Sequence, residues 1–104
     1  MGFPIFLFEW TLILFKRNRI DEAEAKVIEV FNLNPYVLDL FLGNSVEKLP
    51  INHWASITTQ EYAKECLSYS HTQPNLIDFA QWLQVFMETA KFQEAKMMRI
   101  QNGG

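Results

Sequence analysis

The stretch RNRIDEAEAKVIEVFNLNP, residues 17–35, decides the fold class, because it joins a turn, an acidic helix start, an apolar stripe and a helix stop within one short segment. Asp21 is a good N-cap, and Glu22 and Glu24 place negative charge in the first turn, beside the positive end of the helix dipole. Ile20, Ala23, Val27 and Val30 or Phe31 recur at three- and four-residue spacing, while Glu22, Glu24, Lys26 and Glu29 take the other face. Asn34-Pro35 then ends the helix, since the residue before a proline is pushed out of the helical region. An amphipathic helix entered through a tight turn is half of an antiparallel helix pair.

The other half precedes it. FPIFLFEWTLILF, residues 3–15, predicts a helix starting near Pro4, which a first turn accommodates, and ending at Lys16 or Arg17. After Pro4 only Glu9 and Thr11 interrupt its apolar run, the pattern of a helix packed on several sides. The run is shorter than the ~20 residues a membrane-spanning helix needs, carries Glu9 at its centre, and lacks both a basic leader and a small-residue cleavage site. It therefore reads as a buried or interface helix, a membrane-associated segment being the lesser alternative, and a membrane partner is not expected. Lys16, Arg17 and Arg19 complement its negative end, and Asn18 suits the left-handed turn.

Downstream, Tyr36 to Leu42 predicts a short helix with Val37, Leu38, Phe41 and Leu42 inward, stopped by Gly43-Asn44. Residues 45–57 read as a loop pinned by Leu49, Ile51, Trp54 and Ile57. Thr58 and Glu61 match a capping box opening a helix to about Ser70, with Tyr62, Ala63, Cys66 and Leu67 inward. After the turn at 72–75, Leu76 to Met87 is apolar at 76, 79, 80, 83, 86 and 87. Residues 91–101 read as its more polar, solvent-facing extension. The expectation is an all-α fold of about four to five helices, in which a second hairpin stacks on the first, forming a single domain over residues 1–104. The abrupt apolar start is also compatible with a piece of a longer protein.

Composition narrows the function. The chain has 104 residues, is 49% hydrophobic and holds nine Phe, three Trp and three Tyr. So small a body has too little interior for every large ring, which points to association. The net charge of −3, with basic residues dispersed outside positions 16–19, argues against a nucleic-acid partner. Cys66 is the only cysteine, which excludes an internal disulfide and fits a reducing cytoplasm. His53 and His71 have no ligand partners at metal spacing, Glu61 and Glu65 read as a solvated helix face, and a Cys66–His71 nucleophile pair would straddle different helix faces. No phosphate loop is present. These residues predict neither an enzyme nor a cofactor site, and no small-molecule substrate.

Leu7, Trp10, Leu14, Asn18, Ala23, Val27, Val30 and Pro35 sit at the spacings of the key positions of a tetratricopeptide repeat, which residues 4–35 resemble. Ala23 matches the small residue that lets the two helices approach; Thr11, where the family has a small residue, and Leu7, where it often has Trp, depart from it. The remainder looks more loosely like the C-terminal region of bacterial tetratricopeptide-like proteins and of the suppressor-of-tumorigenicity family, through NPYVLDLFLG (34–43), TTQEYAKECL (58–67) and PNLIDFAQWL (74–83). No motif of that group is catalytic, so the resemblance implies a helical adaptor. The family's carboxylate-clamp positions correspond to Phe8 and Leu12, which cannot form such a clamp. The inner-face set Ile5, Phe8, Leu12 and Phe15 would instead offer an apolar strip to an amphipathic helix or a second copy, unless the chain's own later helices cover it. Phe8, Trp10 and Phe15 would be its aromatic anchors. The expected function is thus a non-catalytic, self-associating interaction or scaffold module, a homodimer being the simplest closure. The alternative is a structural C-terminal cap of a larger helical-repeat protein, which a polar final helix without an accessible groove would favour.

Overall fold

The computed structural model describes residues 4–44, 63–64 and 67–103, and among these the fold is all-α. It contains α1 (Pro4–Lys16), α2 (Ile20–Leu33), α3 (Val37–Leu42), a 3-10 turn at Pro74–Leu76, α4 (Ile77–Met87) and α5 (Ala90–Gly103). The loop expected over 45–57 and the capping box at Thr58 and Glu61 lie outside the described residues, as do Tyr62 and Cys66.

The first pair forms as its sequence dictates. Asn18 adopts a left-handed φ of 61°. The Arg19 N–H reaches back to the Leu14 carbonyl at 2.9 Å and the Asn18 N–H to that of Phe15 at 2.9 Å, the paired bonds of a Schellman stop. The helices run antiparallel about this turn, with the Lys26 ammonium 4.5 Å from the centre of the Trp10 ring. Thr11, Leu14 and Ala23 are buried in this pair. The Thr11 hydroxyl donates to the Leu7 carbonyl at 2.8 Å, so a polar side chain is carried there without an unmet hydrogen bond. The start of α2 differs from expectation: Arg19 occupies the cap position with no side-chain cap bond, and Asp21 and Glu22 both lie in the first turn. Apolar Ile20 is drawn into the helix, and the acids act through the helix dipole instead of through a cap.

Asn34 stops α2 in an extended conformation while its side chain accepts the Tyr36 N–H at 2.9 Å. α3 then buries Val37, Leu38, Phe41 and Leu42 as its spacing requires. Gly43, at φ 75°, closes α3 with a second Schellman stop, in which the Asn44 N–H bonds to the Asp39 carbonyl and that of Gly43 to Leu40.

Two expectations are corrected in the second half. The helix expected to reach Ser70 has ended before Leu67, and residues 67–70 are non-helical. This segment is held by tertiary bonds: the His71 N–H donates to the Phe41 carbonyl at 3.0 Å, with His71 Nδ1 3.1 Å from the same oxygen. Lys16 Nζ donates to the Asn75 carbonyl at 2.6 Å. The second correction concerns residues 91–101, which do not extend α4. The Glu88 and Thr89 N–H groups bond three residues back, tightening the end of α4. The Thr89 hydroxyl donates to the Phe86 carbonyl at 2.6 Å and accepts from the Phe92 N–H at 3.4 Å, capping α5. Gln93 Nε2 also covers the Met87 carbonyl at 2.7 Å.

That break turns α5 back onto α2. Phe92 is buried against Phe31 and Phe86, with ring centres 5.3 and 5.8 Å apart. Arg99 Nε donates to the Asn32 carbonyl, and Lys91 pairs with Glu24 at 3.1 Å. A continuous chain of rings runs through the core, from Phe41 to Phe8 and Phe79, onward through Phe15, Trp82 and Phe86, and to Phe92 and Phe31. Aromatic side chains from every described helix therefore form one core.

Candidate functional site

α1 is apolar on nearly every side, and its surface divides into three stripes. One stripe faces α2, a second carries the inner-face set, and a third, Phe6, Trp10 and Ile13, points outward. The inner-face strip is not a groove. Phe8 is 0% and Leu12 9% exposed, and Ile5 and Phe15 are half-buried against the same core. Phe8 touches Phe41, Tyr69 and Phe79, with ring centres 5.1, 5.9 and 5.9 Å away, and Phe15 touches Phe79 and Trp82. The chain's own α3, α4 and 67–70 segment pack on Phe8 and Phe15, the alternative under which Ile5, Phe8, Leu12 and Phe15 serve the interior and not a partner. The physical reason is that a body this small must spend its apolar faces on its own interior.

Of the three suggested anchors, only Trp10 is substantially exposed, at 53%, beside Phe6 at 62% and Ile13 at 55%. Residues 6, 10 and 13 are spaced four and three apart, and Arg17, whose N–H still bonds to the Ile13 carbonyl, continues their stripe. Next to Ile13 a groove of about 480 Å³ is lined by Leu12, Ile13, Lys16, Arg17, Tyr69, Asn75 and Leu76. On its flank the Tyr69 hydroxyl donates to Glu9 Oε2 at 2.6 Å, which satisfies the one acid within the apolar run. The hydrogen bond to the Glu9 carboxylate, with burial and the repulsion of a second negative charge, raises the Tyr69 pKa above its ordinary value.

The second exposed apolar region lies on α5. Ala90, Gln93, Glu94, Met97 and Met98 line an open hollow of about 490 Å³, with Met97 53% and Met98 60% exposed. The buried side of this helix is set by Phe92, and the hollow lies on the side away from α2. Unbranched thioether side chains adapt to a partner's shape better than branched ones. Met97 and Met98 are on this face, whereas Met87 packs on the core.

His71 is committed to the end of α3, and its prospective partner Cys66 lies outside the described residues, as do His53, Glu61 and Glu65. Among the described residues, no group of three or more His, Cys, Asp or Glu side chains converges as metal ligands do. Among the described residues, no helix is long and apolar enough to cross a membrane. The chain matches no family model, curated protein or solved structure, leaving its own surfaces to carry the functional reading.

Proposed function

We propose that this protein is a non-catalytic helical interaction module of the tetratricopeptide-like kind, working in the cytoplasm, and that it self-associates through the outer face of α5. The observation that carries this reading is the Met97–Met98 hollow. It is an apolar recess on a helix whose opposite side is already fixed to α2, so binding there requires no rearrangement of the core. Rigid presentation lowers the entropic cost of association, and the methionines supply adaptable contact. The hairpin geometry supports the repeat resemblance: a left-handed Asn18 turn, a buried Ala23 and a stop at Asn34-Pro35. Isolated repeat units leave apolar faces that a neighbour must close, and a second copy is the simplest neighbour.

The capping-fragment alternative calls for a polar final helix without an accessible recess. The exposed methionines of α5 favour the binding module instead. Sedimentation across a dilution series tests the reading. The native chain should shift from dimer to monomer on dilution, and Met97→Glu/Met98→Glu should be a folded monomer throughout. A native chain that stays monomeric at high concentration, or a double variant that still dimerises, would remove self-association from the proposal.

A further inference from the structure

The outward stripe of α1 is separate from the α5 hollow and has different chemistry. It carries two aromatic side chains and one aliphatic, all more than half exposed, and it runs directly into the chain's one cluster of cations, Lys16, Arg17 and Arg19. We infer that this face is a peripheral docking surface for an anionic lipid bilayer, with Phe6, Trp10 and Ile13 entering the headgroup–acyl boundary and Arg17 and Lys16 meeting lipid phosphates.

Charge complementarity favours this occupant. Arg17 extends the 6, 10, 13 stripe on the same helix face, and among the described residues it makes no ion pair. Lys16 gives one hydrogen bond to the Asn75 carbonyl at the rim of the adjoining groove, whose lining includes Leu12 and Leu76. A cationic rim over an apolar floor suits an anionic headgroup with its acyl chain. Lys26, over the Trp10 ring, is already paired with Glu29 at 3.0 Å, so Arg17 and Lys16 carry the charge of this face. Among the described residues, Glu22 pairs with Arg19, Glu29 with Lys26, and Glu9 accepts from the Tyr69 hydroxyl, leaving Asp21 at the start of α2. An anionic bilayer supplies the charge opposite to Arg17 and Lys16.

The geometry also fits. α1 has 13 residues, too few to span a bilayer but enough to lie in its surface, where Trp and Phe settle at the headgroup level and Arg reaches outward to phosphate. Its inner side is anchored to α4 through Phe15, so the stripe would be presented by a folded body.

Co-sedimentation with vesicles tests the inference, using phosphatidylserine-containing vesicles, pure phosphatidylcholine vesicles, and a salt series. The full chain should bind the anionic vesicles, lose affinity as salt rises, and bind the neutral ones weakly. Arg17→Gln should weaken binding roughly fivefold, as expected for one surface cation at an anionic membrane. Phe6→Ser/Trp10→Ser/Ile13→Ser should abolish it while retaining the native circular dichroism. Two results would overturn the inference: equal affinity for neutral and anionic vesicles, and binding that survives the triple substitution. Failure to bind either vesicle type would do so as well. A concentration-dependent dimer that the triple variant dissociates would assign the stripe to a second copy instead.

Discussion

Phe6 and Phe8 are two residues apart on the same helix, and the structure assigns them opposite energetic roles. Phe8 is fully buried and contacts three other rings, so Phe8→Ala removes its transfer free energy and leaves a ring-sized cavity bounded by Phe41, Tyr69 and Phe79. Such truncations cost about 3–5 kcal/mol. The tilted and edge-on ring pairs, worth ~0.5–1.5 kcal/mol each, place the cost toward the upper part of that range. Domains have only ~5–15 kcal/mol in total, so Phe8→Ala brings the protein near its unfolding threshold, and Phe8→Leu provides a milder companion. Phe6, at 62% exposure, should cost less than about 1 kcal/mol when truncated. Urea unfolding followed by circular dichroism gives both values, with the m-value checking two-state behaviour. Comparable losses at the two positions, or a near-neutral Phe8→Ala, would refute the assignment of the inner strip to the core.

Phe92→Ala should cost about 3 kcal/mol and loosen α5 from α2, despite the polar look of that helix; retained amide-exchange protection in α5 would argue otherwise. Tyr69→Phe should cost about 1 kcal/mol, below the ~1.5–3 kcal/mol of a bond to a charged group because the site is partly exposed. Its pH signature has a definite sign. The raised pKa means that the folded chain keeps the phenol proton where the unfolded chain loses it, so the Glu9 bond contributes fully below about pH 10 and is lost as pH rises through the folded value. Urea midpoints from pH 8 to 11 should fall more steeply for the native chain than for Tyr69→Phe, and equal slopes would count against the bond. Gly43→Ala should destabilise by more than the ~1 kcal/mol of a left-handed alanine, because the new Cβ would lie 2.6 Å from His71 Cε1. Combining it with His71→Ala should recover the steric part, and a purely additive double mutant would contradict that contact.

The first half of the fold was legible because its signals are local. The Asn18 turn, the Asn34-Pro35 stop and the Gly43 cap each act within a few residues, and the inward positions of α3 follow from spacing alone. The second half depends on long-range bonds. Nothing near Ser70 marks the early helix end, which is held by His71 reaching Phe41 and Tyr69 reaching Glu9, 60 residues away. The break before α5 has one faint signal, Thr89 ahead of a helical run, without the glycine or proline that usually announces a stop. For the candidate site, the apolar character of α1 was evident, but periodicity cannot rank three apolar stripes on one helix. Their fates were set by which elements packed against them, so spacing left open whether Phe8 meets a partner or the core, and Phe6 was not singled out. The exposure of Met97 and Met98 follows from the direction of Phe92.

Oxidative footprinting of the methionines over a concentration series tests the central claim, that the outer face of α5 is the contact between copies, most directly. Met97 and Met98 should oxidise rapidly in dilute protein and become protected as the dimer forms, while half-buried Met87 reacts at a concentration-independent rate. Oxidation of Met97 and Met98 that is equally fast at every concentration, in a sample shown by sedimentation to dimerise, would place the interface elsewhere and contradict the account.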